Sequence, residues 1–183
     1  MTHETERDDL IAELAAARAA LVTTTDGLTD EQAGARPTVS ALCLGGLVKH
    51  VASMEESWQR FAVDGPSAMN YALPDGVTWA DMAAGTAREY PQWAIDHQNE
   101  FAMQPGETLA GVLARYEDVA KRSEEIIAKA DLSVQHPLPD APWNRPGTTW
   151  SARRAMLHVI TETAQHAGHA DLIRETLDGQ KST

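Results

Sequence analysis

Residues 149–177 read Thr149-Trp-Ser-Ala-Arg-Arg-Ala-Met-Leu-His-Val-Ile-Thr-Glu-Thr-Ala-Gln-His-Ala-Gly-His-Ala-Asp-Leu-Ile-Arg-Glu-Thr-Leu177. Within this stretch His158, Glu162, His166 and His169 follow one another at steps of four, four and three residues. At roughly 100° per residue these steps hold the four side chains within a strip about 80° wide on one helix face. Val159, Ala170, Ile173 and Leu177 fall on or beside the strip, while Arg153, Gly168, Asp171 and Glu175 fall on the far side. The imidazoles and the carboxylate therefore lie along the margin of the face that a helical protein buries. Such a row costs free energy unless a metal, a hydrogen-bond network or water satisfies it.

Working outward, the chain predicts three further long helices. The first spans about Glu4 to Val22, with Leu10, Ile11, Leu14, Ala17, Leu21 and Val22 at helical spacing and acids in its first turn. A loop of turn formers comes next, with a single turn at Thr29-Asp-Glu-Gln. The second helix, capped by Thr38 or Ser40, runs to about Val63 through Leu42, Leu47, Val51, Met54, Trp58 and Phe61. His50 falls on or beside its apolar face. Gly45-Gly46 lowers helix propensity there by roughly 1 kcal/mol per residue, which predicts a compensating close contact.

The third helix opens after Gly106, with Glu107 in its first turn, and runs to about Ala130 through Leu109, Val112, Leu113, Tyr116, Val119, Ile126 and Ile127. Its other face, from Arg115 to Lys129, alternates in charge sign and reads as solvated. Between the second and third helices, residues 64–105 carry Pro66, Pro74, Asp75-Gly76, Pro91 and Pro105-Gly106, with room for a short helix around Trp79 to Tyr90 and an extended piece at Glu100 to Gln104. Antiparallel neighbours need only a few linking residues, so this length predicts a crossover with the second and third helices parallel. The Pro-rich run from His136 to Gly147 cannot be helix, and Gly179 ends the last one. The expected architecture is all-α: one domain over residues 1–183, a four-helix bundle with no credible strand pattern.

A net charge of -12 disfavours nucleic-acid phosphate or an anionic membrane surface as partner. The single cysteine, Cys43, excludes an intrachain disulfide, and the charged N-terminus has no apolar run behind it, which together suggest a cytoplasmic protein. Trp58, Trp79, Trp93, Trp143 and Trp150 lie largely in or beside the long loops. The segments Tyr71 to Trp93 and His136 to Trp150 are thus expected to wall a cleft whose floor holds His50; ordinary loop packing explains these tryptophans equally well.

Glu162 and His166 form an E-x-x-x-H pair that can present one oxygen and one nitrogen to a single ion. With His50 supplied from a neighbouring helix the set becomes two histidines and one carboxylate, leaving coordination positions open. Zinc is the default for such ligands, and nickel, iron or manganese fit as well.

Leu157-His-Val-Ile-Thr-Glu-Thr-Ala-Gln-His-Ala-Gly-His-Ala-Asp-Leu-Ile-Arg-Glu175, taken with Leu47-Val-Lys-His-Val-Ala-Ser-Met-Glu-Glu-Ser-Trp58 and Pro105-Gly-Glu-Thr-Leu109, resembles the DinB-like four-helix-bundle superfamily. Within it the chain is most similar to an actinobacterial branch related to the metal-binding domain of mycothiol-dependent maleylpyruvate isomerase. The resemblance implies an up-down-down-up bundle and a divalent metal held by His50, Glu162 and His166. It leaves His158 beside the ligands or in contact with substrate, and His169 in either of those places or as a fourth ligand. It further implies a thiol S-transferase joining a low-molecular-weight thiol such as mycothiol to an electrophile, the metal favouring the thiolate. The isomerase carries an additional C-terminal domain, whereas this chain ends a few residues beyond its last helix, so isomerisation itself is not expected. A metal hydrolase using bound water and a non-catalytic metal-binding stress-response module are the alternatives, in a monomer or homodimer.

Overall fold

The computed structural model describes residues 3–181; Met1, Thr2, Ser182 and Thr183, the ends of the expected 1–183 domain, lie outside the described residues. Four long helices carry the structure: α1 (His3–Thr23), α3 (Leu44–Asp64), α6 (Leu109–Lys129) and α7 (Ala152–Asp178). Between them lie the short helices α2 (Asp30–Gly34), α4 (Trp79–Ala84) and α5 (Gln92–Glu100), and one 3-10 turn over Gly65–Ala68. The protein is all-α apart from a two-stranded antiparallel ribbon of β1 (Gln135–Pro137) and β2 (Thr149–Ser151). Among the described residues no helix is long and apolar enough to cross a membrane.

The long helices pack through apolar stripes whose spacing was visible in the sequence. Leu21, Leu47, Val51, Val112, Val119, Ala170 and Ile173 form one buried cluster, and Leu10, Leu14, Phe61, Ile127, Met156 and Val159 form a second. Polar pairs fix the relative sense of the helices. Glu6 pairs with Arg153, and eighteen or more residues further along both segments Arg174 donates to the Thr24 carbonyl at 2.9 Å, so α1 and α7 run in the same direction. Lys49 pairs with Glu107 at 2.6 Å and Arg122 with Glu56 at 3.0 Å, which sets α3 and α6 in a common direction too. The ring contacts Trp58 with His158 and His50 with His166 set α3 against α7 in the opposite sense.

Several sequence expectations about boundaries are corrected. α3 starts at Leu44 rather than after Thr38 or Ser40, because those hydroxyls accept the backbone N–H of Ser40 and Leu42 two residues on and so make turns instead of caps. Glu107 precedes α6: Thr108 is the cap, accepting the Gly111 N–H, and Glu107 reaches Lys49. Thr149 to Ser151 is strand, and Ser151 caps α7 by accepting the Arg154 N–H at 3.1 Å. The expected turn at Thr29 is α2, closed by a reciprocal capping box between Thr29 and Gln32.

The long connection holds more structure than its proline content suggests. The short helix expected over Trp79 to Tyr90 stops at Gly85, whose φ of 69° only glycine adopts freely, and a second helix, α5, starts after Pro91. The piece expected to be extended, Glu100 to Gln104, instead begins with the last residue of α5. The segment from Phe101 to Met103 is pressed onto Gly45 and Gly46: a β-carbon on Gly46 would overlap the backbone of Phe101, and one on Gly45 would meet the Met103 side chain. The close contact predicted by the two glycines is therefore made by this segment, and it brings the end of α5 against α3.

Candidate metal centre

His50 sits in the second turn of α3, only 8% exposed, at the level where α7 passes in the opposite direction. On α7 His158, Glu162 and His166 are half-buried and His169 is exposed. The rings of His50 and His166 meet edge to face with centroids 4.9 Å apart. Beside them the Glu162 carboxylate lies 3.6 Å from His166 Nε2. Its other oxygen is 3.8 Å from His158 Nε2, but the His158 ring itself packs edge to face against the stacked Trp58 and Trp150, at 4.9 and 5.1 Å. The His169 ring stands 5.6 Å from that of His166.

Two candidate site groups were missed in the sequence. α5 carries His97 and Glu100 one turn apart, and both face His50. Glu100 Oε2 lies 3.2 Å from His50 Nδ1 and 3.3 Å from His97 Nδ1. One donor atom from each of His50, His97 and Glu100 lies within 4.8 Å of the others, so these three could hold a metal ion. The signal for α5 was faint, since no residue of that helix is fully buried and no apolar period marks it. Gly45-Gly46 was the one pointer, because it required something to approach α3 closely.

The electrostatics favour acceptor-rich, cation-seeking groups. Burial works to raise the Glu100 carboxyl, but hydrogen bonds from His50, His97 and Ser53 and the His50 charge prevail and bring it down to about 2. His166 is pushed below the ordinary imidazole value by burial first, then by the neighbouring His50, against the opposing pull of Glu162. His158 is lowered by burial as well. Both rings are thereby biased to the neutral form that ligates metals. His166 Nδ1 is buried and has no hydrogen-bond partner among the described residues. Imidazole nitrogens in that state, together with carboxylates alongside, form a donor set that fits a divalent ion of the zinc class.

His50, His97 and Glu100 line a cleft of about 740 Å³ together with Trp58, Tyr71, Trp93 and Trp143, while Glu162 and His166 on α7 are not among its lining residues. Tyr71 contacts Trp93 and Trp143 edge to face at 5.3 and 5.2 Å, and Trp79 closes the group against Trp143 at 5.2 Å. Both tryptophan-bearing loop segments therefore wall the cleft that His50 lines. Arg60, Asn70 and Asp96 supply its polar edge.

The chain is thus a mostly helical protein whose aromatic-walled cleft carries imidazoles and a carboxylate that could hold a metal ion. Over residues 9–179 the chain matches the family model described as mycothiol S-transferase. It belongs to that family, within the DinB-like superfamily. No curated protein matches it.

Proposed function

We propose that the protein is a metal-dependent thiol S-transferase that joins a low-molecular-weight thiol of the mycothiol kind to an electrophile. The observation that carries this reading is the meeting of His50 and His166 at 4.9 Å, with Glu162 beside His166, where α3 and α7 pass in opposite directions and His50 lines an aromatic cleft. Family membership supports the thiol as one substrate. The proposed ligands are His50, Glu162 and His166, and zinc is the leading ion, with nickel, iron or manganese compatible with the same donors. We read residues 1–183 as a single domain, an up-down-down-up four-helix bundle. The pairs Glu6–Arg153, Lys49–Glu107 and His50–His166 support that winding.

A divalent ion bound there supplies the positive charge that stabilises a thiolate relative to a thiol. The chain's own residues do the rest. His50, buried against Phe101 at 4.2 Å, and the half-buried His166 offer the nitrogen donors, and the packing on Phe101 keeps the His50 ring in place. Tyr71, Trp93 and Trp143 provide flat apolar walls that exclude water and orient an electrophile next to the donors. Glu100, held ionised, is too weak a base to keep a thiol proton near neutral pH, which leaves the exposed imidazole of His97 as the acceptor on the cleft side. Carbon–sulfur bond formation then proceeds with loss of a leaving group from the electrophile or by addition to it.

Incubation with mycothiol and monobromobimane, followed by mass spectrometry, tests the reading. The expected product is the bimane thioether, formed faster than in buffer and lost in His166→Ala. Turnover at the buffer rate in a metal-loaded sample would favour a metal hydrolase or a binding module instead.

A further inference from the structure

Resting on the ligand reading above, we propose that Glu100 is a positioning residue: it accepts a hydrogen bond from His50 Nδ1 and so reserves His50 Nε2 for the metal. A single imidazole nitrogen cannot both donate its N–H to a carboxylate and bind a cation. The 3.2 Å contact between His50 Nδ1 and Glu100 Oε2 has hydrogen-bond geometry, so the proton belongs on Nδ1 and the lone pair on Nε2. No hydrogen-bond partner is found for His50 Nε2 among the described residues.

The surroundings hold this arrangement in place. The His50 ring is stacked on Phe101 at 4.2 Å and met edge-on by His166 at 4.9 Å, which opposes the half-turn of the ring that would carry Nδ1 away from Glu100. The carboxylate is itself oriented, because His97 approaches the same oxygen at 3.3 Å. Glu100 reaches His50 only because the backbone at Phe101 lies on Gly46, where any larger residue would hold it off. A carboxylate behind a ligating histidine fixes its tautomer and raises its basicity, and loss of such a partner weakens metal binding about 10–100-fold. Glu100 and His97 do not belong to the row on α7, and neither is needed to fill its ligand set.

The experiment measures zinc stoichiometry and affinity by chelator competition, and the His50 tautomer in the metal-free protein by imidazole nitrogen NMR. Both are read in wild type and in Glu100→Ala, Glu100→Gln, His97→Ala, Glu162→Ala, His166→Ala and His50→Ala, with circular dichroism as the check on folding. In Glu100→Ala the expected result is one zinc bound about 10–100-fold more weakly, with the His50 proton no longer confined to Nδ1. Glu100→Gln retains an acceptor oxygen and is expected to recover most of the affinity and the Nδ1–H tautomer. His97→Ala is expected to keep one zinc within a few-fold of wild type. An unchanged affinity and tautomer in Glu100→Ala, with zinc still lost in His50→Ala and His166→Ala, overturns the positioning role and leaves the ligand set standing. Loss of stoichiometric zinc in Glu100→Ala and His97→Ala but not in Glu162→Ala or His166→Ala makes the α5 residues ligands themselves and overturns both readings.

Discussion

The backbone carbonyl of Phe101 lies directly against the α-carbon of Gly46, so closely that a β-carbon there would overlap it. Gly46→Ala gains roughly 1 kcal/mol of helix propensity. It must also push aside backbone, at a cost of about 1–3 kcal/mol. The expected outcome is a shifted end of α5, a weakened His50–Glu100 contact and zinc affinity reduced about tenfold. Gly168→Ala is the control: a β-carbon there meets nothing within 4 Å, and the variant should be more stable with unchanged affinity. Equal affinities in the two variants would show that α5 has no hold on the site.

The proposed ligands predict which histidines matter for metal content. His50→Ala and His166→Ala should each abolish stoichiometric metal while the helical signal persists, since the two core clusters contain neither residue. His158→Ala should weaken binding several-fold, because its ring props up the Glu162 carboxylate at 3.8 Å. His169→Ala, exposed and facing solvent, should leave metal content near that of wild type. Elemental analysis of the four purified variants decides the order, and full metal content in His50→Ala would remove it from the site.

The pH response of the metal-free protein is set by the shifted groups. His158 and His166 are held below 6.5 by burial, so below that pH the unfolded chain binds more protons than the folded one. Their contribution to stability is complete above pH 6.5 and is lost as the pH falls beneath it. Glu100, lowered from 4.5 to about 2, adds a second loss as the pH falls from 4.5 towards 2. Urea midpoints should therefore drop between about pH 7.5 and pH 5.5 and again in stronger acid, and a flat profile over the first interval would contradict the histidine assignment.

The buried pair of Arg18 and Glu55 makes a separate prediction about stability. Glu55 is 0% exposed and accepts hydrogen bonds from Arg18 and Ser123. Glu55→Ala leaves the Arg18 guanidinium buried without its main partner and should destabilise the protein by about 3–5 kcal/mol. Denaturant unfolding measures this, and metal affinity of the folded fraction should change little.

How much of the fold and site is legible in the sequence depends on periodicity. The four long helices and the row on α7 could be read because Leu14, Val51, Val119 and Val159 repeat at the spacing of a buried helical face, and that repeat is a property of sequence alone. His50 was legible as a candidate only because α7 gave it something to meet. His97 and Glu100 were not, since α5 buries nothing completely and owes its place to Gly46 and Phe101, a contact between residues far apart in the chain. The ribbon of β1 and β2 escaped for a related reason. Three-residue strands, one ending in Pro137, are too short to show alternation, and Thr149-Trp150-Ser151 resembles a helix start until its partner Gln135 to Pro137 is known.

The Arg18–Glu55 pair also governs how the helices may slide. Glu55 lies five residues, little more than one turn, beyond His50 on α3, and Ser123 meets it from α6. Displacing α3 along its axis by one turn, about 5.4 Å, would take the carboxylate away from Arg18 and Ser123 and leave the guanidinium with only Glu124 and the Ala120 carbonyl of α6. The observed register of α3 is the one that keeps the buried Glu55 carboxylate on Arg18 and Ser123. The same register sets the His50 ring edge to face with that of His166 at 4.9 Å, so the core itself fixes the level at which these two histidines meet.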